Sequence, residues 1–124
     1  MAVVTLLGIA QDGGRPQPGC TRPCCQGLTE QDYRSPVSLG IKTNAGTTLL
    51  IEATRDLGRQ LRMMNNPSID HLFITHAHLG HVDGLGLFGR ETMSARNIQL
   101  HCSPSMYSLI ERTPAWNQLL LQNV

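Results

Sequence analysis

Three histidines crowd into six positions of the segment FITHAHLGHVDGLG, residues 73–86. His76 and His78 lie two residues apart directly after an apolar run, so an extended chain sends both imidazoles to one side. Two imidazoles on one side suit chelation of a single ion such as zinc. His81, three residues further on, can serve a neighbouring second ion or hydrogen-bond to the first ligands. The density of the cluster points to metal binding, whereas the isolated His71 and His101 read as structural. Asp83 precedes Gly84 at an expected helix start, where its ordinary role is an N-cap and ligation is the lesser alternative.

A second group of metal-compatible side chains is Cys20, Cys24 and Cys25, in a proline- and glycine-rich stretch over 9–36. Adjacent cysteines strain a mutual disulfide, and zinc accepts three thiolates plus one further ligand. A structural zinc and a set of reduced thiols are both open readings. Cys102, in an expected strand, reads as a core residue. No catalytic residue beyond the metal ligands is identified. Asp12, in the loop after the first strand, is the one further candidate to approach a metal.

The elements that must position these groups follow from hydrophobic periodicity. Residues 2–8 (AVVTLLG) read as a buried strand. The 9–36 segment holds too much proline and glycine for a helix or central strand, and a loop of that length in a small domain is usually functional. SLGIKTN and TTLLIEA flank Ala45-Gly46 as a hairpin. Leu57, Leu61 and Met64 predict an amphipathic helix over 55–64, stopped by Asn65, Asn66 and Pro67. IDHLFIT, 69–75, is the next strand and delivers the histidines at its end. A short helix is expected from Leu85 to Met93, then a strand at NIQLHCS. Ser103-Pro104 and Thr113-Pro114 each place a hydroxyl cap before a proline, the signature of two helix starts. Their apolar stripes, Met106/Leu109/Ile110 and Trp116/Leu119/Leu120, are expected to lack a second sheet to cover them. The order suggests an α/β layered fold, a mixed sheet with helices on one face.

A chain of 124 residues fits a single domain, 1–124, burying about two-thirds of its unfolded surface. The net charge of +1 gives no electrostatic case for nucleic acid, and Arg55, Arg59 and Arg62 are expected on the solvated face of one helix. No apolar run approaches the ~20 residues that span a bilayer, so no membrane association is expected. The N-terminus lacks the basic region and small-residue cleavage site of a signal peptide. Four cysteines without export suggest a reducing compartment, and the cytoplasm is the expected location.

ITHAHLGHVDGL resembles the metal motif of the metallo-β-lactamase superfamily, His-x-His-x-Asp-His with a glycine beyond it. The match places His76, His78, His81 and Gly84, and departs at Gly80, where the family has a metal-binding aspartate. LLGIAQDGGRPQPGCTRPCC and SPVSLGIKT…TTLLIEAT resemble the opening of one branch of that superfamily. The branch comprises relatives of the pyrroloquinoline-quinone biosynthesis B protein and of the phosphonate-pathway cyclic phosphodiesterase. The resemblance implies the N-terminal portion of an αββα sandwich and one catalytic-type zinc held by His76 and His78. It also supports a structural zinc in the cysteine loop. In the family, metal-activated water hydrolyses a small ester or phosphodiester. Its further ligands come from a second half, and here no histidine follows His101. The expectation is therefore a metal-dependent hydrolase fold acting on a small-molecule substrate, incomplete or inactive as this chain. The alternatives are a non-hydrolytic protein of cofactor biosynthesis and a non-catalytic zinc-binding module, with self-association across an exposed sheet.

Overall fold

The computed structural model describes residues 1–124. Five strands form one sheet in sequential order: β1 (Ala2–Gly8), β2 (Ser38–Thr43), β3 (Thr48–Ile51), β4 (His71–Phe73) and β5 (Gln99–His101). The β1–β2 and β2–β3 pairs are antiparallel, and β3–β4 and β4–β5 are parallel. The hairpin between β2 and β3 turns at Ala45-Gly46, as its sequence predicts. Parallel neighbours need crossovers. Helix α1 (Leu57–Met63) makes the first, and α2 (Leu79–Val82) with a 3-10 turn at Leu85–Phe88 lies in the second. Helices α3 (Pro104–Arg112) and α4 (Pro114–Leu121) close the chain. This is the mixed sheet with helices on one face that the sequence implies. No helix is long and apolar enough to cross a membrane.

The pairing registers sort side chains between the two faces. Thr5, Gly40, Leu50, Leu72 and Leu100 share the face on which the helices pack. There Leu50, Leu72, Leu57, Phe88, Met106 and Ile110 join one buried cluster, each large aliphatic side chain contributing about 1.5–3 kcal/mol by leaving water. On the opposite face Leu6, Leu39, Ile51, Phe73 and His101 form one row, and Val4, Ile41, Leu49, His71 and Gln99 the next. No helix covers these two rows.

Several expectations change. The β1 strand is an edge, not a buried strand: Val3, Val4 and Leu6 are 66%, 58% and 67% exposed, and only its end reaches the core through Leu7. The terminal helices need no second sheet. Met106 and Ile110 are buried, and Trp116, Leu119 and Leu120 pack on the same cluster. The helix expected from Leu85 to Met93 shrinks to the turn at Leu85–Phe88, because Gly84, Gly86 and Gly89 punctuate it, and the α-helix lies earlier, at Leu79–Val82. Ser103 caps α3 by accepting the Met106 N–H at 3.2 Å. Thr113 instead donates its hydroxyl to the Leu109 carbonyl at 2.7 Å, and so closes α3 while α4 begins. Cys102 packs against the core, and burial pushes its thiol pKa up. His71 and His101 pair across strands, Nδ1 to Nε2 3.0 Å, and His101 stacks on Phe73.

Candidate metal centre

The four residues that continue β3, Glu52 to Arg55, form the platform for the histidine segment. The Glu52 N–H donates to the Phe73 carbonyl (2.8 Å), the Ala53 N–H to the His81 carbonyl (2.9 Å), and the Gly84 N–H to the Ala53 carbonyl (2.9 Å). A Cβ at Gly84 would overlap the Thr54 carbonyl, so this motif glycine is required by a close main-chain approach. Thr75 N–H donates to Glu52 Oε1 at 3.2 Å. Arg55 and Asp83 complete the clamp. The Arg55 N–H donates to Asp83 Oδ1 (2.8 Å), and the guanidinium Nε lies 2.9 Å from Asp83 Oδ2. Asp83 is thus not an N-cap; it ends α2 and holds the loop before α1. Arg55 likewise leaves the solvated face, because its guanidinium is spent on Asp83 and on the Asp12 carbonyl.

On this platform the three histidines converge. The rings of His76 and His78 are edge-on with centroids 4.5 Å apart, and those of His76 and His81 are 4.1 Å apart. His78 is extended and caps the start of α2, which carries His81 one turn on. His76 and His78 are exposed, while His81 is largely enclosed. His76 Nδ1 pairs with Thr75 Oγ1 at 2.8 Å, which leaves its other ring nitrogen for a ligand. His81 stands between two carboxylates. Its Nε2 is 3.3 Å from Asp12 Oδ1, and its Nδ1 is 3.3 Å from Glu52 Oε2. Those last two atoms are buried and neither makes an aligned hydrogen bond. Buried orphans of this kind call for an explanation. A metal on Nε2 would fix the proton on Nδ1 and give Glu52 its donor. Imidazole and carboxylate are donor types that a divalent ion such as zinc accepts, although no three of their ligand atoms gather within 4.8 Å of one another as those of the cysteine triad do.

Glu52 and Arg55 are the residues at this candidate site whose contacts the sequence does not reveal. The signal was an acid closing an otherwise apolar strand, TTLLIE, where a carboxylate must find a partner. Glu52 is 3% exposed and adopts φ 70°, a conformation L-residues rarely hold without cause.

The chain is similar in structure to a diphosphatase of the PhnP family, with 25% identity, a TM-score of 0.76, and coverage of 98% of this chain and 49% of that one. It is also similar to Zn2+-bound PqqB from Methylobacterium extorquens (21% identity, TM-score 0.79, 94% of this chain and 45% of that one). A third likeness is human tRNase Z, short form (19%, TM-score 0.60, 98% and 40%). This chain has part of the metallo-β-lactamase fold. It spans half or less of the length of each of these structures. In sequence, 80 residues (64% of the chain) are 36% identical to an octanoyltransferase of Porphyromonas gingivalis, a stretch that makes up 16% of that protein. No protein-family model matches the chain.

In this part of the metallo-β-lactamase fold, the cysteine loop forms a second donor set. Cys20, Cys24 and Cys25 are the one group whose three ligand atoms all lie within 4.8 Å of one another, and the Cys24 and Cys25 sulfurs are 3.9 Å apart. Thiolates at 2.3 Å from a tetrahedral zinc stand about 3.8 Å apart, so the spacing fits. A 3-10 turn at Pro23–Cys25 brings the adjacent pair round, and Gln17 N–H donates to Cys25 Sγ at 3.4 Å. Arg15 Nε and Gln26 Nε2 hold the Cys24 and Cys20 carbonyls. All four cysteines are free thiols.

Proposed function

We propose that the chain forms part of a metal-dependent hydrolase in which His76 and His78 hold a zinc ion and metal-activated water cleaves a phosphodiester or ester of a small molecule. The observation that carries this reading is the convergence of three imidazoles beside Asp12 and Glu52 at the end of a parallel strand. Zinc bound there supplies a nucleophile at neutral pH by lowering the pKa of water to about 7. The protein's own residues do the positioning. Glu52 faces His81 Nδ1 and fixes the Thr75 main chain beside His76. The Arg55–Asp83 pair holds α2 against the platform. Two histidines are a sparse donor set for catalysis, and the complete fold is expected to bring further ligands.

The test is a hybrid in which residues 1–124 replace the matching half of the PhnP-family diphosphatase, loaded with zinc and assayed on bis(p-nitrophenyl) phosphate. Turnover abolished by His76→Ala supports the reading. A folded, zinc-loaded hybrid whose turnover is indifferent to His76, or absent altogether, contradicts it.

The cysteine triad favours a second reading, a zinc-binding module without catalysis. Zinc that persists in His76→Ala but is lost in Cys24→Ser, with no hydrolysis by the hybrid, selects it.

A further inference from the structure

The family motif carries an aspartate at position 80, and this chain carries Gly80. The structure shows what stands in that space. A Cβ at Gly80 would overlap the Asp12 Cα and lie 2.8 Å from its Cβ and 3.0 Å from its carbonyl oxygen. Not even alanine fits without displacing the loop that follows β1. The Asp12 carboxylate comes with that main chain, and its Oδ1 is 3.3 Å from His81 Nε2.

Asp12 is held there rather than left in a floppy loop. It is the first central residue of a turn closed by the Gly14 N–H on the Gln11 carbonyl at 2.8 Å. Just before the turn, Ala10 exchanges main-chain hydrogen bonds of 3.0 Å with Ser35 and Val37. The Asp12 carbonyl accepts from the Arg55 guanidinium, which Asp83 fixes in turn. That cation engages the carbonyl, so the side chain keeps its charge for another partner. The carboxylate is 41% exposed and borders an open cleft of about 630 Å³ that His78 also lines.

We propose that Asp12 supplies, from the turn after β1, the carboxylate ligand that the family motif carries at position 80. The metal position beside His81 is then rebuilt from a different element rather than lost. Gly80 is the steric condition for this arrangement. The inference rests on the metal reading of His76 and His78 and extends it to a second divalent ion.

The experiment titrates the chain with Mn(II), a hard ion that carboxylate and imidazole accept and thiolates take poorly, and counts bound ion by loss of the free-ion EPR signal. Metal-free Asp12→Asn should unfold at the wild-type temperature, since the side chain keeps its size. It should bind Mn(II) at least tenfold more weakly and lose the Mn(II)-induced rise in Tm. Wild-type affinity in Asp12→Asn, with binding lost in His76→Ala, overturns the role of Asp12 and leaves the histidine centre standing. Wild-type affinity in both variants overturns the two together. Gly80→Ala gives a second handle, because it moves Asp12 without removing it. Weaker Mn(II) binding in this variant supports the assignment, and unchanged binding in a folded protein opposes it.

Discussion

His81 is the residue on which the site turns. Each of its ring nitrogens faces a carboxylate at 3.3 Å, one from the loop after β1 and one from the end of β3. Metal-ligating imidazoles depend on such partners for tautomer and orientation, and losing one costs about 10–100-fold in affinity. We therefore expect Glu52→Gln to weaken zinc binding by a factor in that range, read by competition with a chromophoric chelator. Gly80 sets a steric limit at the same place. Gly80→Ala should destabilise the fold by about 1–3 kcal/mol, the usual cost of overpacking, measured as a lower urea midpoint. Away from the site, Asp32 reports on local structure. The Thr29 N–H and then its hydroxyl donate to the carboxylate at 2.9 and 2.8 Å and hold its pKa below the ordinary aspartate value. A depressed folded pKa means the turn is favoured above the unfolded value and loses that support as pH falls through the folded one. The Thr29 amide resonance should accordingly titrate with a midpoint below that of a free aspartate, and in Thr29→Val the midpoint should rise only part of the way, since the backbone donor remains.

At the scale of elements, the sequence shows clearly what periodicity and caps control. Leu57 and Leu61 mark α1, the prolines at 104 and 114 mark two helix starts, and Ala45-Gly46 marks the hairpin. What it hides are relations between distant segments. Leu85 begins an apolar run that looks like a helix, yet Gly84 just before it serves a close approach to the main chain of residues 53 and 54. Asp83 carries the local signature of a cap, and only the approach of residue 55, far away in sequence, reveals it as half of an ion pair. The three histidines were visible because their ligand logic is local. Glu52 was not, since its partner His81 lies on another element. The Arg55–Asp83 pair is 32% and 15% exposed at its side chains. Removing it with Asp83→Ala should cost about 1–3 kcal/mol through the charged hydrogen bonds lost, again visible in the urea midpoint. It should also loosen the Asp12 turn through Arg55.

For the molecule as a whole, the two faces of the sheet differ in kind. One is sealed by α1, the Leu85–Phe88 turn, α3 and α4 around Leu50 and Leu72. The other presents two rows of mainly apolar side chains, with Leu6 and Val4 well exposed at the edge strand. In an αββα sandwich this is the face that meets a second sheet. A contiguous apolar surface of this sort is sticky in water, so the chain should enhance the fluorescence of anilinonaphthalene sulfonate. Leu6→Lys should reduce that signal while leaving stability within about 0.5 kcal/mol, as expected for a surface change. The histidine cluster sits at the rim of the sheet, where β3 and β4 end, and the cysteine loop forms a separate donor set in the 9–36 segment. Whether the histidines hold metal independently of the cysteines is the central claim. Zinc per chain, measured by mass spectrometry of the metal on purified protein, decides it most directly. We expect the His76→Ala/His78→Ala double variant to lose one zinc while Cys24→Ser retains it; equal zinc in the wild type and the histidine double variant, with none in Cys24→Ser, would contradict the account.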